Sequence, residues 1–378
     1  MRQPKKIQRE VRAPRMSALV SHRSFMRVGL SASVFAWIFI MQYFYVRSMS
    51  LRSAILGVAL TFALTQCVTL LFTPVAAQSL RNGTKHGIAQ GVVLAILGFT
   101  ALSLALGGHL GTHVGIGVLG FAVCMGLYRA CYWTPYEVDA ARIPRTRSSQ
   151  NALREMLFAF IPGCIGVVLS FGFPTPVLVV VFSTFAFILS LIPLYSVSDT
   201  REGFSWGYQR TFHELFTSHH RALVCAAIAD GLSGAALLLF WPIAAFLIVG
   251  WSYEMLGIIL TLTFLSVLVL RDFVRAILKT IGVAESVAVQ VTLAASGWVM
   301  RLFVASPLSI VLVDSYYYAG TPTKRVGVDP FSFEQSADNG TYVDEYTALK
   351  EIDLAVGKIS ACLIATALLF VASVPITS

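Results

Sequence analysis

The chain has 378 residues, of which 56% are hydrophobic and only 12% charged, with a mean hydropathy of +0.74. A soluble domain carries about 25% charged residues. This composition cannot cover a water-facing surface, so most of the chain is expected to face lipid. The net charge of +9 invites a nucleic-acid reading, but its placement argues against one. Eight Lys and Arg lie in the first 27 residues (Arg2 to Arg27) against one acid, Glu10, and the others fill short gaps between apolar runs. That is the pattern of loops beside an anionic leaflet.

The first 27 residues read as a basic, disordered cytoplasmic arm. Their basic stretch is too long, and the following apolar run too extended, for a cleavable secretory signal. Val28–Val46 is the first span and Ser53–Leu80 the second. His86–Tyr128 runs 43 residues without Asp, Glu, Lys or Arg. That is about twice the length needed to cross the hydrocarbon core, so it must turn back, and Gly107-Gly108-His109-Leu110-Gly111 is the turn. Met156–Ser198 breaks likewise at 171–176, giving spans five and six. A polar linker, 199–221, follows. Ala222–Tyr253, Glu254–Leu270, Val283–Val304, Pro307–Gly320 and Ile352–Pro375 supply the remaining spans, about eleven in all.

The expected fold is therefore all-α: a polytopic membrane bundle of two pseudo-repeated halves. A six-helix half (28–198) and a five-helix half (222–378) flank the linker. With the N-terminus in the cytoplasm, 23 of the 28 Lys and Arg fall on the cytoplasmic side, and only Arg47 and Arg52 fall outside. That asymmetry predicts an external C-terminus. Faint repeats support a duplication. Aromatic clusters closed by Thr-Pro end spans four and ten, and Arg154-Glu155 and Lys350-Glu351 open spans five and eleven, about 196 residues apart.

The run Arg129-Ala130-Cys131-Tyr132-Trp133-Thr134-Pro135-Tyr136-Glu137-Val138-Asp139, with Arg142, Arg145 and Arg147 beyond it, resembles the fourth-helix segment of a bacterial group of the major facilitator superfamily. Glu137 stands where that group carries His. Glu345-Tyr346 through Lys350-Glu351 to Gly357-Lys358 is similar to a second motif of the group, with Lys at both positions where it has Arg. The chain departs from the superfamily in three places. Its loop signature between spans two and three survives only as Arg81-Asn82-Gly83-Thr84-Lys85. The loop after span eight keeps Asp272 and Arg275 without the glycines. Eleven spans stand in place of twelve.

The resemblance implies a secondary transporter in a bacterial inner membrane, moving a small solute by alternating access and open to proton coupling. A transport-inactive scaffold or assembly partner of other membrane proteins is the alternative. An enzyme acting on lipid-linked substrates is a more distant one. No nucleic acid, cofactor or metal is expected. Gly-rich phosphate loops, His-Glu-x-x-His and Gly-x-Ser-x-Gly are absent from the sequence, and the six Cys read as small buried hydrophobes.

Ionisable groups at membrane depth are costly and are candidates for function. Arg129, Tyr132, Trp133, Asp230 and Asp314 are expected to line a cavity, Arg129 facing Asp230. Arg81, Glu137, Asp139, Arg142, Glu155, Asp272, Arg275, Arg301, Lys350 and Glu351 are expected as gating or structural charges near helix ends. Arg301 and Asp314 are expected to pair. Trp241-Pro242 reads as a kink with an interfacial anchor.

Overall fold

A computed structural model describes residues 4–141, 149–172, 175–197, 199, 201, 203–217, 221–282, 286–320 and 343–371. Among these residues every regular element is helical, as the near-continuous apolar patterning requires. Eight segments are long and apolar enough to cross a membrane, by length and composition: 18–48, 51–82, 84–106, 111–139, 176–195, 221–248, 253–280 and 345–371. This is compatible with an integral membrane protein. The segments read as spans five, nine and ten form helices whose apolar stretch is shorter. Met156–Ser170 is the apolar part of one, and the other two have only 15 and 14 residues.

Contacts divide the chain into two compact units. The first unit contains residues 1–144, 180–239 and 330–378. Its helices are α1 (Pro4–Ser31), α2 (Ser33–Ser48), α3 (Leu51–Gln78), α4 (Thr84–Leu106), α5 (Val114–Ala141), most of α7 (Thr175–Tyr195), α8 (Tyr208–Glu214), α9 (Arg221–Ala235) and the final helix, α14 (Val343–Val371). The segment read as a disordered arm is helical from Pro4. Ala18, His22 and Met26, spaced four apart, put one face of α1 into the interior.

The turn between α4 and α5 falls where the glycines placed it. Gly108 and Gly111 take φ of +73° and +51°, the left-handed region that favours glycine. Small residues then let the backbones approach. A Cβ on Gly91 would stand 2.7 Å from the Tyr132 Cβ, and one on Gly126 only 2.5 Å from the Thr65 carbonyl of α3. Thr61, Thr65, Thr69 and Thr73 recur every fourth residue of α3. Each hydroxyl donates to the carbonyl four residues back, so a polar stripe is satisfied without water. Between α9 and α14, Gly231 lies against the Leu354 carbonyl and Gly357 against that of Ile228.

The linker is less solvated than its composition suggests. Phe204 and Trp206 are buried against Tyr346, Ala348 and Leu349 of α14 and Val224 of α9. The Ser205 backbone N–H (2.9 Å) and hydroxyl (2.7 Å) both donate to Glu345 Oε1. At the start of α4 the Asp199 carboxylate accepts from the Lys85 N–H at 3.1 Å, an N-terminal cap supplied from 114 residues away in the sequence.

The second unit contains residues 145–179 and 240–329. Its helices are α6 (Ser149–Ser170), α10 (Trp241–Ile248), α11 (Tyr253–Thr280), α12 (Val287–Arg301) and α13 (Pro307–Gly320). α6 and α11 meet through Gly166 and Gly257, where a Cβ on either would stand 2.9 Å from the other's Cα. The Thr261 hydroxyl beside them accepts from the Gly163 N–H at 2.9 Å. That N–H would otherwise bond the residue 159 carbonyl, and Pro162 sits in the same turn. α11 continues ten residues past the expected end of its span. Beyond Leu270 its charges Arg271, Asp272, Arg275 and Lys279 alternate with Phe273, Val274 and Ile277, so the helix goes on as an amphipathic one.

Candidate functional site: buried charges between α5 and α14

One face of α5 carries Arg129, Trp133 and Glu137 at four-residue intervals, which a helix brings into register. Tyr128, Tyr132 and Tyr136 form the adjoining stripe. They are 1%, 2% and 7% exposed, and Tyr132 stacks on Tyr136 at 5.3 Å and 12°. α14 supplies the opposing charges. The Lys350 ammonium donates to both Glu137 oxygens, at 2.8 and 2.7 Å. Two turns back along α5, the Arg129 guanidinium stands 3.8 Å from Glu351 Oε2, an ion pair too long for a hydrogen bond. Lys358 follows two turns beyond Glu351, almost wholly buried, and the charges acting on it are those of Arg129, Glu351 and Lys350.

The sequence placed Lys350 and Glu351 near a helix end, as gating or structural charges. They are 5% and 3% exposed, because α14 begins nine residues before the expected span and carries them inside. Several polar atoms here have no hydrogen-bond partner among the described residues: Arg129 Nε, Tyr128 Oη, Trp133 Nε1 and both oxygens of Asp353, a residue with no exposed surface.

On the tyrosine side of α5, His22 of α1 bridges two helices. Its Nδ1 lies 2.8 Å from the Ser190 carbonyl of α7 and its Nε2 3.1 Å from the Tyr132 hydroxyl. The carbonyl can only accept, so Nδ1 carries the proton and Nε2 accepts from Tyr132.

The second unit holds a separate buried pair. Arg301 Nε and Nη2 both donate to Asp314 Oδ1, at 3.2 and 2.7 Å, and the Trp241 indole N–H donates to Oδ2 at 2.8 Å. The guanidinium carbon lies 5.0, 4.6 and 4.3 Å from the ring centres of Trp241, Trp298 and Tyr317. Arg301 and Asp314 therefore meet as expected. Trp241, read as an interfacial anchor, spends its polar atom on Asp314, and a π-helical turn at 236–240 precedes it.

The other expected residues scatter. Asp230 is half-buried on α9 and engaged with neighbours of its own; the acid standing against Arg129 is Glu351. Asp139 is buried at the end of α5. Arg81 donates to the Phe204 carbonyl at 2.8 Å and so ties the loop after α3 to the linker. Asp272 and Arg275 are an i,i+3 pair 3.7 Å apart, with Asp272 71% exposed, a contact of little energetic weight. Arg142 and the Glu155 side chain lie outside the described residues.

Lys358, Asp353 and His22 were not singled out from sequence as site residues. Lys358 and Asp353 carried the signal of a charge inside an apolar run. His22 carried none, since it stands among basic residues. No protein-family model and no curated protein matches this chain.

Proposed function

We propose that the protein is a secondary transporter of the major facilitator type, moving a small solute across a membrane by alternating access. In this reading about eleven spans cross the membrane, with the N-terminus cytoplasmic and the C-terminus external. The observation that carries it is the buried charge cluster on α5 and α14. Charges at membrane depth cost about 2.5 kcal/mol or more each on insertion scales. A buried ion pair seldom repays that cost in stability compared with apolar side chains of the same size. Such a cluster persists where it works. Two ion pairs between helices that belong to different sequence halves form a latch, closed when Lys350 meets Glu137 and opened when the helices part. The family resemblance of these same two stretches supports the assignment.

The test is uptake of labelled small solutes into proteoliposomes containing the full chain. Saturable uptake is expected, reduced at least about tenfold in Glu137→Lys or Lys350→Glu alone and recovered in the charge-swapped double variant. Single variants that transport like the wild type would remove the latch. No saturable flux of any solute would leave the scaffold alternative.

A further inference from the structure

α5 and α14 bring together more acids than cations. Among the described residues, Arg129, Lys350 and Lys358 stand against Glu137, Asp139, Glu345, Glu351 and Asp353, all buried or half-buried. Four of these acids are engaged. Glu137 holds Lys350, Glu351 pairs with Arg129, Glu345 accepts twice from Ser205, and Asp139 has a neighbour of its own. Asp353 is the remainder. It has no exposed surface, and neither of its carboxylate oxygens has a hydrogen-bond partner among the described residues.

The helix geometry explains why no cation reaches it. Asp353 is two residues from Glu351, about 200° round the helix, so its position lies opposite the ion pairs with α5. It continues the stripe of Tyr346 and Leu349, which packs on Ala77 of α3, Val224 of α9 and Phe204 and Trp206 of the linker. One turn further on, Gly357 lies against the Ile228 carbonyl of α9. The packed elements bring no charge to the site. α3 has no charged residue after Arg52, α9 carries Arg221 and Asp230, and α8 carries Arg210, His213 and Glu214. None of these acts on Asp353, and neither do Arg129, Glu137 and Asp139 of α5 or the other charges of α14; burial alone does. An ionised carboxylate here would bear the whole cost of leaving water, whereas the neutral acid bears only that of a polar group.

We infer that Asp353 is a proton-carrying group, neutral while the latch between α5 and α14 is closed and ionised when α14 moves, its proton passing to water on the side then open. One helix bears both parts of this device, with Lys350 and Glu351 on one face and Asp353 on the other. A displacement that parts Lys350 from Glu137 also shifts Asp353 against its apolar wall. Solute movement is thereby tied to the release and uptake of one proton per cycle. The bound proton rests on burial and on the count of acids; its part in the cycle rests on the transporter reading.

The first test is infrared spectroscopy of the full chain in lipid near neutral pH. The wild type is expected to show the C=O stretch of a protonated carboxylic acid, shifted by D2O and by carboxyl-labelled aspartate, and Asp353→Asn is expected to lose it. Unfolding supplies a second readout. The folded chain holds a proton that the unfolded carboxylate has lost at neutral pH, so raising the pH favours unfolding. Above neutrality the wild-type folding equilibrium should fall by up to about tenfold per pH unit more than that of Asp353→Asn. In proteoliposomes an inward proton gradient should speed solute uptake by the wild type and not by Asp353→Asn, which still equilibrates solute. A wild-type spectrum without the band overturns the proposal. So does a band that survives in Asp353→Asn, an equal pH dependence of the two chains, or uptake by Asp353→Asn that follows the gradient as the wild type does. The band without flux of any solute would leave the proton site standing and remove the transporter. Flux without the band would do the reverse.

Discussion

Asp314→Asn in the second unit separates the cost of an uncompensated charge from the worth of the pair. Arg301 and Asp314 are 6% and 3% exposed, so neither charge can turn to water. The Asn keeps an acceptor for one Arg301 N–H but loses the charge, and its amide must place its oxygen toward either Arg301 or the Trp241 indole. Breaking a buried pair from one side costs about 3–5 kcal/mol in a protein interior. Two facts lower that figure. The three rings within 5.0 Å of the guanidinium retain some cation–π attraction, about 0.5–2 kcal/mol in total. Polar contacts at membrane depth also measure less than in soluble cores. A loss of about 2–3 kcal/mol is expected in reversible unfolding from mixed micelles. Asp314→Leu with Arg301→Met should lose less than the two single changes summed, by at least about 1 kcal/mol. Additive losses would show that the two side chains contribute independently and that the rings alone hold Arg301.

Four further perturbations test other parts of the structure. Gly257→Leu should destabilise by at least about 2 kcal/mol by forcing α6 from α11, because its Cβ would stand 2.5 Å from the Pro162 carbonyl. Gly120→Ala, whose Cβ would meet only Ala101 at an ordinary 3.5 Å, should leave the thermal midpoint unchanged. Tyr132→Phe removes the donor to His22 Nε2 and should cost about 1 kcal/mol in the same unfolding assay. Glu345→Ala should release the linker from α14, read as faster amide exchange at Ser205 with little change within α3.

The helical architecture was legible because its cause is compositional. Runs without charge must be helical in lipid, and Gly108 and Gly111 had to mark a turn wherever a run was too long. Helix ends were less legible where charge and burial part company. Glu345, Lys350 and Glu351 look like the solvated end of a span, yet α14 carries them into the interior, where Ser205 and Glu137 meet two of them. The same confusion hid the packed linker, since Phe204 and Trp206 are only two aromatics in a polar stretch. The pairing of Arg301 with Asp314 was visible from sequence because both flank one short turn. The partner of Arg129 was not, because it lies 222 residues away, and no pattern along one chain selects Glu351 over Asp230. Burial of Lys358 depends on the approach of α9, where a Cβ built on Gly234 would stand 3.8 Å from the lysine Cε. A glycine reveals that only once its neighbour is known.

In the proposed transporter, α5 and α14 separate at their charged face as solute moves. With Cys164 and Cys225, the two exposed cysteines, replaced by Ser, Glu137→Cys and Lys350→Cys can be joined by a short bis-methanethiosulfonate reagent. Solute flux is measured in proteoliposomes before tethering, after it, and after reduction. Flux present in the untethered double variant is expected to stop on tethering and to return on reduction. Flux that continues undiminished through a fully formed tether would contradict the proposed separation of the two helices.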